Sequence, residues 1–233
     1  MPLFGAVHLT LLILILACAA GIPVLVRRAP QTARPLRLIL GGSIGVNELI
    51  WWGYRYSREG FRFPEGLPLQ LCDVTIWLTV IGCLWPTRAA TEFLYFAGLA
   101  GAALALLMPD LWAPWPAYPS IYFFVAHGGI VAGTALLVFG RVVILRRSSR
   151  WRAFGLLNLY VAVIGAFNAI FGTNYVYLCR KPASASLLDV FGPWPMYLLV
   201  AEVLALVLFF LLSLALPAEQ ESPIQSQAAA QTT

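Results

Sequence analysis

An all-α membrane protein, a bundle of about seven transmembrane helices, is the fold class this chain predicts, and three observations predict it. Of its 233 residues 61% are hydrophobic and only 11% are charged, where a soluble domain carries about 25% charged residues. Apolar runs near the roughly 20 residues that cross a bilayer recur from end to end. The arginines gather in the short segments between those runs. That placement reads the net charge of +5 as a topology and headgroup signal, and it argues against nucleic acid as a partner.

Each element follows in order. The first run, 3–26, has no basic segment before it and has Arg27 and Arg28 after it. That is the reverse of a signal peptide, so a retained helix is expected. The second, 37–57, begins after Pro35 and ends among Arg55, Arg58 and Glu59. The third, 69–86, is the shortest and lies between Pro68 and Pro86. The fourth, 90–108, stops before Pro109, and the fifth, 119–145, opens on Pro119. The sixth, 152–174, follows a basic segment and precedes Pro182; the seventh, 194–216, sits between Pro193 and Pro217. Proline at these boundaries is a natural stop or start. Residues 1–217 then form one polytopic membrane domain without an internal repeat. The tail 218–233, rich in Gln, Ala, Ser and Thr, is expected to be disordered and cytoplasmic.

Loop charge predicts the orientation. Arg27, Arg28, Arg34 and Arg37 belong to the first loop, Arg88 to the third, and Arg141, Arg146, Arg147, Arg150 and Arg152 to the fifth. The second and sixth loops offset their bases with Glu59, Glu65 and Asp189, and the fourth has Asp110 and no base. The positive-inside rule then puts the odd loops in the cytoplasm and the N-terminus outside the cell membrane. Trp51, Trp52, Trp112, Trp115 and Trp194 fall near the outer ends, as an interfacial belt would.

With this topology the polar residues collect at one depth. Asn47 and Glu48 lie in the outer half of the second helix. Cys72, Asp73 and Thr75 open the third, His127 lies in the outer half of the fifth, Asn168 and Asn174 in that of the sixth, and Glu202 two turns into the seventh. Unpartnered polar groups are costly in hydrocarbon, so convergence on one internal site is the economical expectation. Local roles remain open for each: Asn168 and Asn174 as interhelical bonds, Asp73 as a helix cap, His127 as a structural histidine. Cys72 and Cys179 share the predicted outer side, so they offer either a disulfide or a free thiol. Cys18 and Cys83 read as small apolar residues. A thiol and an imidazole are the minimum for a nucleophile and its base. Counting residues into each helix puts His127 roughly 6–8 Å deeper than Cys72. No phosphate loop, paired CxxC, His cluster or nucleophile elbow is present, so no cofactor and no metal are expected.

Several segments carry a family likeness. Leu67-Pro68-Leu69-Gln70-Leu71-Cys72-Asp73, Phe123-Phe124-Val125-Ala126-His127-Gly128 and Asn174-Tyr175-Val176-Tyr177-Leu178 are three of them. Lys181-Pro182, Ser186-Leu187-Leu188-Asp189 and Gly192-Pro193-Trp194-Pro195 extend it. Together they resemble the YwaF-like bacterial integral membrane proteins, a group similar to a mammalian membrane acyltransferase that moves fatty-acyl chains between phospholipids. The resemblance implies acyl transfer centred on Cys72 with His127 as its partner. Gln70 stands where a histidine is common in that group, and Met196 replaces a frequent aromatic.

Two functional classes follow. The first is a lipid acyltransferase or acyl hydrolase acting on a phospholipid or lysophospholipid near the outer leaflet. In it Cys72 attacks and His127 moves the proton. Glu48, Asp73, Asn168, Asn174 and Glu202 support the site, and Arg55, Arg58, Arg180 and Lys181 receive the headgroup. The second is a small-molecule or proton-coupled carrier whose relay uses Glu48, Asp73, His127 and Glu202 and dispenses with Cys72. A non-catalytic bundle is the remaining alternative.

Overall fold

The computed structural model describes residues 1–111, 113–182 and 186–218, and these are helical with connecting loops. Seven helices follow one another: α1 (Ala6–Arg28), α2 (Ala33–Glu59), α3 (Leu71–Leu84), α4 (Arg88–Leu107), α5 (Tyr118–Phe139), α6 (Ser149–Phe171) and α7 (Met196–Leu214). Five of them, α1 and α4 to α7, are long and apolar enough to cross a membrane. The helix α2 has 27 residues but carries arginines at both ends and Asn47 and Glu48 between them. At 14 residues, α3 rises about 21 Å, short of a roughly 30 Å hydrocarbon core. The irregular segment 60–70 precedes α3.

The helix α5 is the axis of the molecule. It is nearly all buried, while α1, α6 and α7 are mostly exposed, as lipid-facing helices are. Glycines let its neighbours approach: Ile15 of α1 lies 2.9 Å from where a Cβ on Gly128 would sit, and Ile44 of α2 lies 2.9 Å from that position on Gly129. One core cluster joins α2, α3 and α5 around Trp51, Ile76 and Ile130. A second gathers Tyr95, Phe96 and Phe209 where a π-helical turn, Leu94–Gly98, interrupts α4. Tyr95 Oη there donates to Leu212 O of α7 at 2.9 Å.

Two expectations change. The fifth run does not stay helical to residue 145: α5 ends at Phe139, Arg141 turns the chain at φ +60°, and Leu145 folds back into the second core. Trp51 is not part of a belt. It is buried and stacked on Tyr122, ring centroids 4.2 Å apart. Trp112 and the tail beyond Ala218 lie outside the described residues.

Candidate functional site

Cys72 is the second residue of α3, and the start of that helix is held from several sides. Gln70 N donates to Asp73 Oδ2 at 3.1 Å, half of a capping box. Gln70 Oε1 accepts from Val176 N at 2.9 Å. Tyr160 Oη of α6 donates to Leu69 O at 2.8 Å. Tyr175 Oη donates to Pro64 O at 2.7 Å and accepts from Leu67 N at 3.0 Å. The turn after α6 therefore fixes the loop that leads into Cys72. The thiol accepts from the backbone N–H groups of Cys72 and Asp73, and the carboxyls of Asp73 and Glu48 and the phenols of Tyr122, Tyr160 and Tyr177 lie within electrostatic reach of it. All four cysteines are free.

The depth of His127 follows from a register between α3 and α5, which run in the same direction. Leu137 Cδ1 lies 3.1 Å from a Cβ built on Gly82, and Thr79 Cγ2 lies 2.5 Å from one built on Gly133. Thr75 Cβ and Ile130 Cγ2 both lie 3.5 Å from one built on Gly98. Residue 82 is thus level with 137, 79 with 133 and 75 with 130, a separation of 54 or 55 each time. One turn further out, the same register sets Cys72 level with Ala126 and His127. The depth gap expected from counting along single helices closes because α5 begins further out than α3.

His127 is buried, and its Nδ1 lies 2.8 Å from Phe123 O. A carbonyl oxygen only accepts, so Nδ1 carries the proton and Nε2 presents a lone pair. Nε2 has no protein hydrogen-bond partner among the described residues. Phe123 covers one face of the imidazole, ring centroids 4.3 Å apart. Glu48, expected to support the site, has no hydrogen bond to His127. It is fully buried and accepts from Tyr122 Oη at 2.7 Å and Trp52 Nε1 at 2.9 Å. Both partners are neutral. Tyr122 brings α5 to this point and Trp52 lies one turn on in α2, so Glu48 ties the two helices beside Cys72.

The other expected residues separate into local groups. Asn168 receives Tyr175 N and Thr173 Oγ1 on its oxygen and donates to Tyr175 O, which closes the turn after α6. Asn174 accepts from Cys179 N and Arg180 N and donates to Arg180 O. Glu202 accepts from Asn158 Nδ2 at 2.8 Å, between α7 and α6. Arg55, with Trp52, Tyr56 and Arg62, lines a surface cleft of about 120 Å³ above Glu48. Arg58 lies over the Tyr54 ring. Lys181 Nζ stands 3.8 Å from Asp189 Oδ1, and Arg180 is exposed.

Tyr122, Trp52, Gln70, Tyr160 and Tyr175 shape this region, and composition gave no reason to choose them. The one signal was chemical: a hydroxyl or indole N–H inside an apolar run has to find a partner. At the opposite end a second buried carboxylate, Glu92, also lay unread. It holds Arg88 Nε at 2.9 Å, Ser149 Oγ at 2.7 Å and Arg152.

Residues 3–213 match the TMEM164 family. The chain belongs to that family. No curated protein and no solved structure matches it. The matched span runs from before α1 to the last turn of α7, so the family covers every helix and the whole region around Cys72 and His127. With its long apolar helices, this member is a multi-pass helical membrane protein.

Proposed function

We propose that the chain is a membrane lipid acyltransferase or acyl hydrolase with Cys72 as nucleophile and His127 as base, the reading that its YwaF-like motifs imply. The observation that supports it is the imidazole: Nδ1 is committed to Phe123 O, which leaves Nε2 as an acceptor on a residue that the α3–α5 register sets at the depth of Cys72. A thiol whose ionisable neighbours are carboxyls and phenols needs such a base.

The chemistry runs in two balanced halves. His127 Nε2 takes the Cys72 proton as sulfur bonds to the ester carbonyl carbon. The tetrahedral intermediate collapses, the C–O bond breaks, and the leaving lysolipid oxygen takes the proton from His127. A second lysolipid hydroxyl, or water, then gives its proton to His127 and attacks the thioester; the C–S bond breaks, and the Cys72 sulfur takes the proton back from His127. Free backbone N–H groups in the first turn of α3 would receive the developing oxyanion. Asn168 and Asn174 support this indirectly, by holding the turn that braces the α3 start. Arg55, with Arg58, and Arg180 with Lys181 receive the headgroup phosphate. Asp73, Glu48 and Glu202 act through the helix start and helix contacts they make.

The test is a thioester. Purified protein in vesicles of labelled phospholipid should carry the acyl chain on Cys72, released by hydroxylamine. Absence of any adduct on Cys72 under single-turnover conditions would sink the proposal and favour the carrier. The orientation places the arginine-rich loops in the cytoplasm. In a Cys179→Ser background, an impermeant maleimide should label Trp115→Cys and spare Ser148→Cys in intact cells; the opposite pattern would invert the topology.

A further inference from the structure

The arginine-rich side of the bundle contains a guanidinium that the protein leaves without a counter-ion. Arg37 sits in the second turn of α2. Its Nε and Nη1 are buried with no hydrogen-bond partner among the described residues, while the residue as a whole is half-buried. Its charge reaches Cys83 of α3, so the group lies at the α2–α3 seam. Ten of the fifteen basic residues fall on this side, in the segments Arg27 to Arg37, Arg88, and Arg141 to Arg152. The one carboxylate among the described residues there is Glu92, and it is engaged by Arg88, Arg152 and Ser149. A guanidinium half-enclosed in a low-dielectric seam is costly without an anion.

We propose that Arg37 binds the phosphate group of an anionic phospholipid, seated at the α2–α3 seam on the arginine-rich side. Position argues for a lipid. Arg37 is five residues from the start of a membrane-length helix, and Trp85, exposed just beyond the end of α3, marks the interfacial depth on the same side. The phosphate oxygen meets the guanidinium, and its charge compensates the two nitrogens without a partner among the described residues. Arg34, one turn earlier on α2 and exposed, adds a second cation on that approach. This site lies at the far end of α2 from Glu48, so it is independent of the acyl-transfer proposal.

The test uses the full chain in a neutral detergent, melted with and without phosphatidylglycerol, phosphatidylcholine or inorganic phosphate, with bound lipids counted by native mass spectrometry. Phosphatidylglycerol should raise the melting temperature by several degrees and leave one retained lipid; phosphatidylcholine and inorganic phosphate should do neither. Arg37→Gln should lose both effects, and Arg28→Gln should keep them. Without lipid, Arg37→Gln should be at least as stable as the wild type, because an unmet buried charge is gone; with phosphatidylglycerol the order should reverse. An undiminished response in Arg37→Gln would overturn the proposal. An equal response to inorganic phosphate would replace the lipid with a free anion.

Discussion

Two buried glutamates sit at opposite ends of the bundle, and they are treated differently. Glu92 is met by two guanidiniums and a hydroxyl that join α4 to α6. Glu48 is met by a phenol and an indole, and the free thiol of Cys72 lies within reach of its charge. The two histidines repeat the contrast. His8 accepts from Phe4 N at 3.0 Å on Nδ1 and donates to Leu106 O at 2.8 Å from Nε2, so both ring nitrogens are used. His127 uses one. A polar group whose bonds are complete holds helices together. One whose bonding is left incomplete inside a membrane is a candidate for binding something that is not part of the protein.

The largest effect expected from this contrast is on chemistry. Cys72→Ala should abolish acyl release from labelled phospholipid, and His127→Ala should lower it about 10²–10⁴-fold. The double change should be no worse than Cys72→Ala, because the two act as one unit. Cys72→Ser should stay largely inactive and Cys83→Ala nearly silent. An active Cys72→Ala protein would break the comparison outright, since the incomplete bonding would then serve a carrier.

Stability should show the reverse. Glu92→Ala strips two arginines and Ser149 of their acceptor and should cost about 2 kcal/mol, a modest figure because both arginines are half exposed. His8→Ala leaves Phe4 N and Leu106 O unmet and should cost a similar amount, about 2 kcal/mol. Neither should change the rate per folded molecule. Denaturation in detergent, paired with activity normalised to folded protein, separates these from His127→Ala, which should keep its stability. Equal stability loss in the two histidine variants would show that both are structural.

A smaller effect sharpens the register that brings Cys72 and His127 to one depth. Gly133→Ala pushes a methyl into Thr79 and should cost about 1–3 kcal/mol, with activity falling as α3 shifts. Gly45→Ala meets Val80 at an ordinary 3.5 Å, so its stability should be nearly unchanged. Glu48→Gln should cost about 1 kcal/mol: the amide oxygen still accepts from Trp52 Nε1, while the amide N–H₂ donates to Tyr122 Oη in place of accepting from it. Equal melting temperatures for Gly133→Ala and wild type would mean the α3–α5 contact does not set the register.

Helix number and order were legible because a bilayer demands long apolar runs, and proline marks where they stop. Five of the seven runs prove long and apolar enough to cross. The end of α5 was not legible: Val142, Val143, Ile144 and Leu145 continue the apolar pattern, and only the left-handed Arg141 shows that the chain has turned. Cys72 and His127 stood out by rarity. Tyr122, Gln70 and Tyr160 did not, because a tyrosine or glutamine reads the same whether it braces a site or faces lipid.

What the sequence determined by itself is therefore the solvent: composition and periodicity put this chain in a membrane as a helical bundle, since hydrophobic length is a property of consecutive residues. What only the tertiary structure decided is partnership. The sequence offered five helices of polar groups for one site, and the structure divided them into Glu48 with Tyr122 and Trp52, Asn168 with Tyr175, and Glu202 with Asn158. Hydrogen bonds act over about 3 Å, and separations that short depend on the register between helices distant in the chain. No local pattern records that register, and here it is set by the glycines at 82, 98 and 133 that let α3, α4 and α5 touch.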